Sequence, residues 1–159
     1  MRIIMPFTAL ALTFFVGCGQ KKQAAATTAK IPASLTLAAQ PESALFVLDA
    51  YKSAKAGEPV IIQGLAGGST PIFNETYAIF TITNRTAEKS CCPSCTDVKV
   101  AKATVQVKGA DGKVLKSSLA GFNGLAESTK VYVVGTVDST YKEGANLLIN
   151  ATGIYVHKE

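Results

Sequence analysis

Two short phrases constrain this chain more than anything else in it. Val60-Ile61-Ile62-Gln63-Gly64 and Val131-Tyr132-Val133-Val134-Gly135 are each a β-branched or aromatic run with a glycine inside the strand pattern. Runs of this composition read as strands. A glycine within one marks a bulge or a bend, because its missing Cβ lets another backbone approach closely. Three further strands accompany the pair. Residues 77–84 alternate, with Ala78, Phe80 and Ile82 on one face, and residues 102–108 place Ala103, Val105 and Val107 inward between Lys102, Thr104, Gln106 and Lys108. Residues 146–157 form the last strand, bent or bulged near Gly153.

The connections are equally readable. Asp111-Gly112 predicts a tight turn after the third strand. Residues 114–128 carry Leu115, Leu119, Phe122 and Leu125 at helix-like spacing, broken by Gly121 and Gly124, which predicts a short or irregular helix. Ahead of the strands, residues 41–56 space Leu45, Leu48, Tyr51 and Ala54 for a helix that Gly57 closes. The order of strand, strand, strand, irregular helix, strand, strand matches an all-β fold, a five-stranded OB-like Greek-key barrel with a short helix between strands three and four and a preceding N-terminal helix. The two glycine-bearing phrases resemble the bend strands of the OB-fold (tRNA-anticodon-binding-like) domains of bacterial envelope lipoproteins, over residues 57–156. That resemblance implies a shape; the anticodon label names ancestry rather than a ligand. A β-sandwich fragment is the alternative.

The chain begins with a different signal. Arg2 is the sole charge in residues 1–17 and precedes an apolar run over 3–16, too short to span a bilayer as a stable helix. It ends in Phe15-Val16-Gly17-Cys18, which resembles the bacterial lipobox, with Phe15 in place of the usual leucine. The expectation is a lipoprotein signal peptide over 1–17 and diacylation of Cys18, which makes the protein a membrane-anchored lipoprotein of the bacterial cell envelope facing the periplasm or exterior. An uncleaved anchor, or a secretory signal with Cys18 as a spare thiol, is the competing reading. Residues 18–40 hold no aromatic residue, small or polar side chains dominate there, and they are expected to form a flexible tether. The helix over 41–56 and the barrel over 57–159 then complete one domain.

A formal charge of +5 invites a nucleic-acid partner, but from Pro41 onward twelve Lys and Arg face eleven Asp and Glu. A near-neutral domain carries no electrostatic footprint for a phosphate backbone. Tyr77, Tyr132 and Tyr155 are candidate stacking platforms with Lys102 and Lys108 beside them, yet strand tyrosines more often pack than bind. No nucleic acid is expected. Catalysis fares no better: the single histidine, His157, lies near the C-terminus, carboxylates are scattered, and no glycine pair opens a phosphate loop. The chain reads as a binding or structural module rather than an enzyme.

Chemistry concentrates in Ser90-Cys91-Cys92-Pro93-Ser94-Cys95-Thr96, in the loop between strands two and three. Thiols in an oxidising compartment pair, and three is an odd number once Cys18 is acylated. Adjacent Cys91 and Cys92 bond each other only with strain. One reading is a local disulfide, Cys92 to Cys95 or Cys91 to Cys95, with one thiol left over. A second is a metal site in which Cys91, Cys92 and Cys95 converge on Zn(II) or Cu(I), with Asp97 or His157 as a further ligand. Against copper, the chain has no Trp, and both Met residues lie in the signal segment. A third is thiol redox chemistry, since Cys92-Pro93-Ser94-Cys95 resembles the Cys-Pro-x-Cys of exchange proteins, although no βαβ pattern surrounds it. The sequence names no ligand and no protein partner.

Overall fold

The computed structural model describes residues 30–84, 101–143 and 145–158. Its strands are β1 (Leu45–Phe46), β2 (Pro59–Ala66), β3 (Ile79–Thr83), β4 (Lys102–Gln106), β5 (Lys130–Val137) and β6 (Leu147–Val156). One helix, α1 (Val47–Ser53), follows β1 directly. Strands β2 to β6 form a closed five-stranded mixed barrel in the order β2-β3-β4-β6-β5, with β5 returning to β2. All contacts in this ring are antiparallel except β4 with β6, which run parallel from Ala103↔Leu147 to Gln106↔Asn150.

The inward alternation read from the sequence is what builds the core. Ala78, Phe80, Ile82, Ala103 and Val105 are fully buried, and Val131, Val133, Leu147, Ile149 and Ile154 meet them from the other strands. Both bend glycines sit where another strand crosses closely. A Cβ on Gly64 would lie 2.7 Å from the Thr83 carbonyl oxygen and 3.0 Å from Val47 Cγ2. A Cβ on Gly135 would collide with the Asn150 carbonyl oxygen, beside the register shift that leaves Thr152 of β6 unmatched. Any side chain there pushes strands apart.

Three expectations change in the structure. Where a short helix was expected between the third and fourth barrel strands, only a three-residue 3-10 turn forms, Phe122–Gly124. Gly121, Asn123 and Gly124 take positive φ of 78°, 52° and 90°, which no right-handed helix can contain. The segment still delivers Leu119 and Leu125 into the core. The N-terminal helix is shorter than 41–56, because residues 45–46 are drawn into parallel pairing with Ile62 and Gln63 of β2. Residues 30–40, expected within the tether, lie on the barrel: Leu35 is buried, Thr36 bridges Ile154, and the Leu37 amide donates to the Ile154 carbonyl.

That strap has a physical purpose. β4 pairs with β6 only as far as Asn150, and β3 pairs with β2 only at Leu65 and Ala66, so both partners run on with a bare edge. Thr36 and Leu37 cover the first edge and β1 covers the second. Unpaired strand edges invite association with other chains, and the strap occupies them with this chain's own backbone. Among the described residues, no helix is long and apolar enough to cross a membrane.

Gly64→Ala is expected to lower stability by about 1–3 kcal/mol, since a methyl group cannot fit against the Thr83 carbonyl without strand displacement. Urea denaturation of the variant beside the parent chain checks this, and an unchanged midpoint would contradict the close-crossing argument.

Candidate functional site

The cysteine-bearing segment joins β3 to β4, and its roots are well defined. Thr83 and Lys102 are direct ladder partners, the last pair of the antiparallel β3–β4 register. The Thr83 hydroxyl also donates to the Ala101 carbonyl at 3.2 Å. The two ends of the connection, Asn84 and Ala101, therefore stand side by side at the ends of neighbouring strands. Cys91, Cys92, Cys95 and Asp97 lie outside the described residues, as does Cys18. Among the described residues, no three His, Cys, Asp or Glu side chains converge as a metal site.

His157, which with Asp97 is a candidate further ligand in the metal reading, is exposed just after β6, where its amide donates to the Lys130 carbonyl. Lys130 is the ladder partner of Leu65, and Leu65 that of Thr83. His157 thus stands on the same transverse row as the root of the connection, three strand spacings away, about 14 Å along the sheet. It lines an open groove of about 840 Å³ together with Lys130 and Lys158.

The tyrosines do not form one platform. Tyr77 is exposed on the turn before β3, whereas Tyr132 is 2% exposed and meets Tyr155 edge to face at 6.0 Å. Lys108 is committed elsewhere: its Nζ lies 2.8 Å from Asp138 Oδ2. Lys102 is exposed at the root of the connection.

Asp138 is the polar centre that sequence reasoning missed. It follows β5 and its carboxylate accepts from five donors: Lys108 Nζ at 2.8 Å, Thr140 Oγ1 at 2.7 Å, Thr140 N at 3.0 Å, Asn150 Nδ2 at 3.0 Å and, more weakly, Gln106 Nε2 at 3.4 Å. Gln106 also donates to Asn150 Oδ1 at 2.7 Å, which ties β4 to β6. The Lys108 ammonium first, then the Thr140 hydroxyl and amide and the Asn150 amide, hold the carboxyl well below the usual carboxylate range against the opposing effect of burial. The cluster is satisfied internally, so its chemistry is structural. Tyr141 is the opposite case: its hydroxyl is buried without a partner among the described residues, and burial pushes the phenol up. The five residues of the carboxylate cluster are separated by up to 44 residues, and only the Asx-type spacing of Asp138 and Thr140 is visible locally.

No protein-family model, no curated protein and no solved structure matches the chain. The class that the structure defines is a closed five-stranded mixed β-barrel with an N-terminal strap.

An unfolded aspartate titrates near pH 4, and the folded Asp138 carboxyl titrates lower, so its stabilisation is complete above about pH 5 and is lost as pH falls below about 4. Lys108 is about a third exposed and solvent screens the pair, so Asp138→Asn is expected to cost about 1–3 kcal/mol at pH 7. Urea denaturation between pH 7 and pH 2 reads both effects. The variant should show a shallower loss of stability below pH 4 than the parent chain.

Proposed function

We propose that this chain is a lipid-anchored module of the bacterial envelope in which an OB-like Greek-key barrel presents a cysteine-bearing connection, and that it acts by binding rather than catalysis. The observation that carries this reading is the Thr83↔Lys102 register, which roots both ends of residues 84–101 in the barrel wall. A connection rooted at both ends is the arrangement by which a rigid scaffold displays a functional loop. The ring order β2-β3-β4-β6-β5 with a parallel third and fifth barrel strand supports the OB-like topology. The apolar segment ending at Gly17-Cys18 supports acylation of Cys18, and the near-neutral charge after Pro41 argues against nucleic acid.

In this reading one local disulfide, from Cys95 to Cys92 or Cys91, staples the connection and leaves one thiol. A second reading places Zn(II) or Cu(I) on Cys91, Cys92 and Cys95 with Asp97 or His157. The position of His157 on the row that starts at Thr83 favours weighing it.

Thiol titration of the full chain purified from membranes, with and without a chelator and with metal analysis, separates the two. One reactive thiol and no metal is expected. Three thiols released by the chelator with one equivalent of metal would replace the staple with the metal site, and three freely reactive thiols without metal would sink both. The mass of the N-terminal peptide tests the anchor in the same sample, and an unmodified Cys18 there refutes it.

A further inference from the structure

Away from the cysteine-bearing connection, the barrel carries an open groove whose lining mixes polar and apolar surface. Its walls are the turn at Asn123 and Gly124, the entry to β5 from Glu127 to Lys130, and the exit of β6 from Val156 to Lys158. A smaller hollow of about 380 Å³ shares Asn123, Val156 and Lys158 with it and extends it to Tyr155 and the N-terminal strap.

The walls are held by the chain's own bonds before any ligand arrives. Ser128 N donates to the Ala66 carbonyl at 2.8 Å, and Ala66 N to the Thr129 carbonyl at 2.9 Å. His157 N donates to the Lys130 carbonyl at 2.9 Å, and Asn123 Nδ2 joins the turn to Thr36 Oγ1 of the strap at 2.8 Å. Pinned walls of this kind reduce the ordering cost of binding.

Among the described lining residues the charge is net positive. Of these residues, Lys130 and Lys158 contribute two ammonium groups and His157 an imidazole, against the carboxylate of Glu127. Among the described residues neither lysine is in an ion pair, the one pair there being Lys108 with Asp138. Lys130 Nζ rests instead over the Tyr132 ring, 5.3 Å from its centroid, a contact that positions the ammonium without cancelling its charge. The rest of the lining offers Asn123, Ser128 and Thr129, side chains that exchange hydrogen bonds with hydroxyl groups.

We infer that this groove binds a phosphate-bearing polyol, with Lys130, Lys158 and His157 on the phosphate and Asn123, Ser128 and Thr129 on the hydroxylated part. A space of about 840 Å³ exceeds what a single inorganic ion fills and lies within the range of small-molecule sites. Its lining sets Leu65 and Val156 beside Asn123, Ser128 and Thr129, which suits a ligand that carries hydroxyl groups on a carbon skeleton. Lysine ammonium groups serve as point-charge donors to phosphate. The inference uses no residue of the cysteine-bearing connection and stands whether or not Cys18 is acylated.

The test is a titration of the full chain with glycerol 1-phosphate and glucose 1-phosphate, followed by amide chemical shifts. Inorganic phosphate, glycerol and glucose are the controls, and vesicles of phosphatidylglycerol or phosphatidylcholine form a separate arm. The expected result is saturable shifts at Ser128, Lys130 and His157 with a dissociation constant of about 1 mM or tighter for at least one polyol phosphate. Lys130→Ala with Lys158→Ala should weaken it at least about tenfold. Both side chains are exposed, so the melting temperature should stay unchanged. Vesicle binding that needs phosphatidylglycerol and the same lysines would assign the phosphate to a lipid headgroup, and binding of the soluble probes alone would assign a free polyol phosphate. Equal, weak shifts with inorganic phosphate that ignore the lysine substitutions would mean an adventitious ion only. That outcome, or no shift with any probe, overturns the inference.

Discussion

The structure depends on the closeness with which β2 passes its neighbours at Gly64. Along its eight residues β2 pairs with β5 on one edge, while the other edge is taken first by β1 and then by β3. The changeover places the Thr83 carbonyl and the Val47 side chain against the position where a Cβ would stand. Close approach at this point closes the barrel, seats α1 against β2, and sets the root of the cysteine-bearing connection next to Leu65. The groove at Lys130 lies one strand further along the same row.

A second constraint acts where the two parallel strands meet. A short parallel pair of four registered positions is a weak closure by itself. Gln106, Asn150 and Asp138 add a hydrogen-bonded cross-tie on the outside of this pair, and Lys108 balances the charge. A carboxylate this shielded is favourable only because every donor is in place. The barrel is therefore held by an apolar interior and, at its parallel junction, by one buried charge with its full set of partners.

Much of the fold was legible in the residues. All five barrel strands fall where period-two alternation and β-branched runs put them, and Gly64 and Gly135 sit at the close crossings that a glycine inside a strand announces. The segment 114–128 was misread because its leucines keep a helical spacing while three residues adopt positive φ, and spacing carries no information about φ. The strap escaped notice for another reason. Its few large apolar side chains, Ile31, Leu35 and Leu37, follow no strand or helix period, and its backbone pairs with edges that exist only once the barrel has formed. For the candidate sites, the cysteine trio and His157 stood out by chemistry alone, whereas the Asp138 cluster and the cationic groove did not. Their members come from distant strands and turns and look ordinary one at a time.

The strands, their inward faces, the turn at Asp111-Gly112 and the position of the thiols along the chain follow from side-chain period, backbone preference and local composition. Which edges pair, that the strap covers the bare ones, that Thr83 and Lys102 pair at the two ends of the connection, and that Lys130, His157 and Lys158 line one groove are set only in three dimensions. The physical reason is that shear in a closed barrel brings together residues that neither spacing nor composition relates.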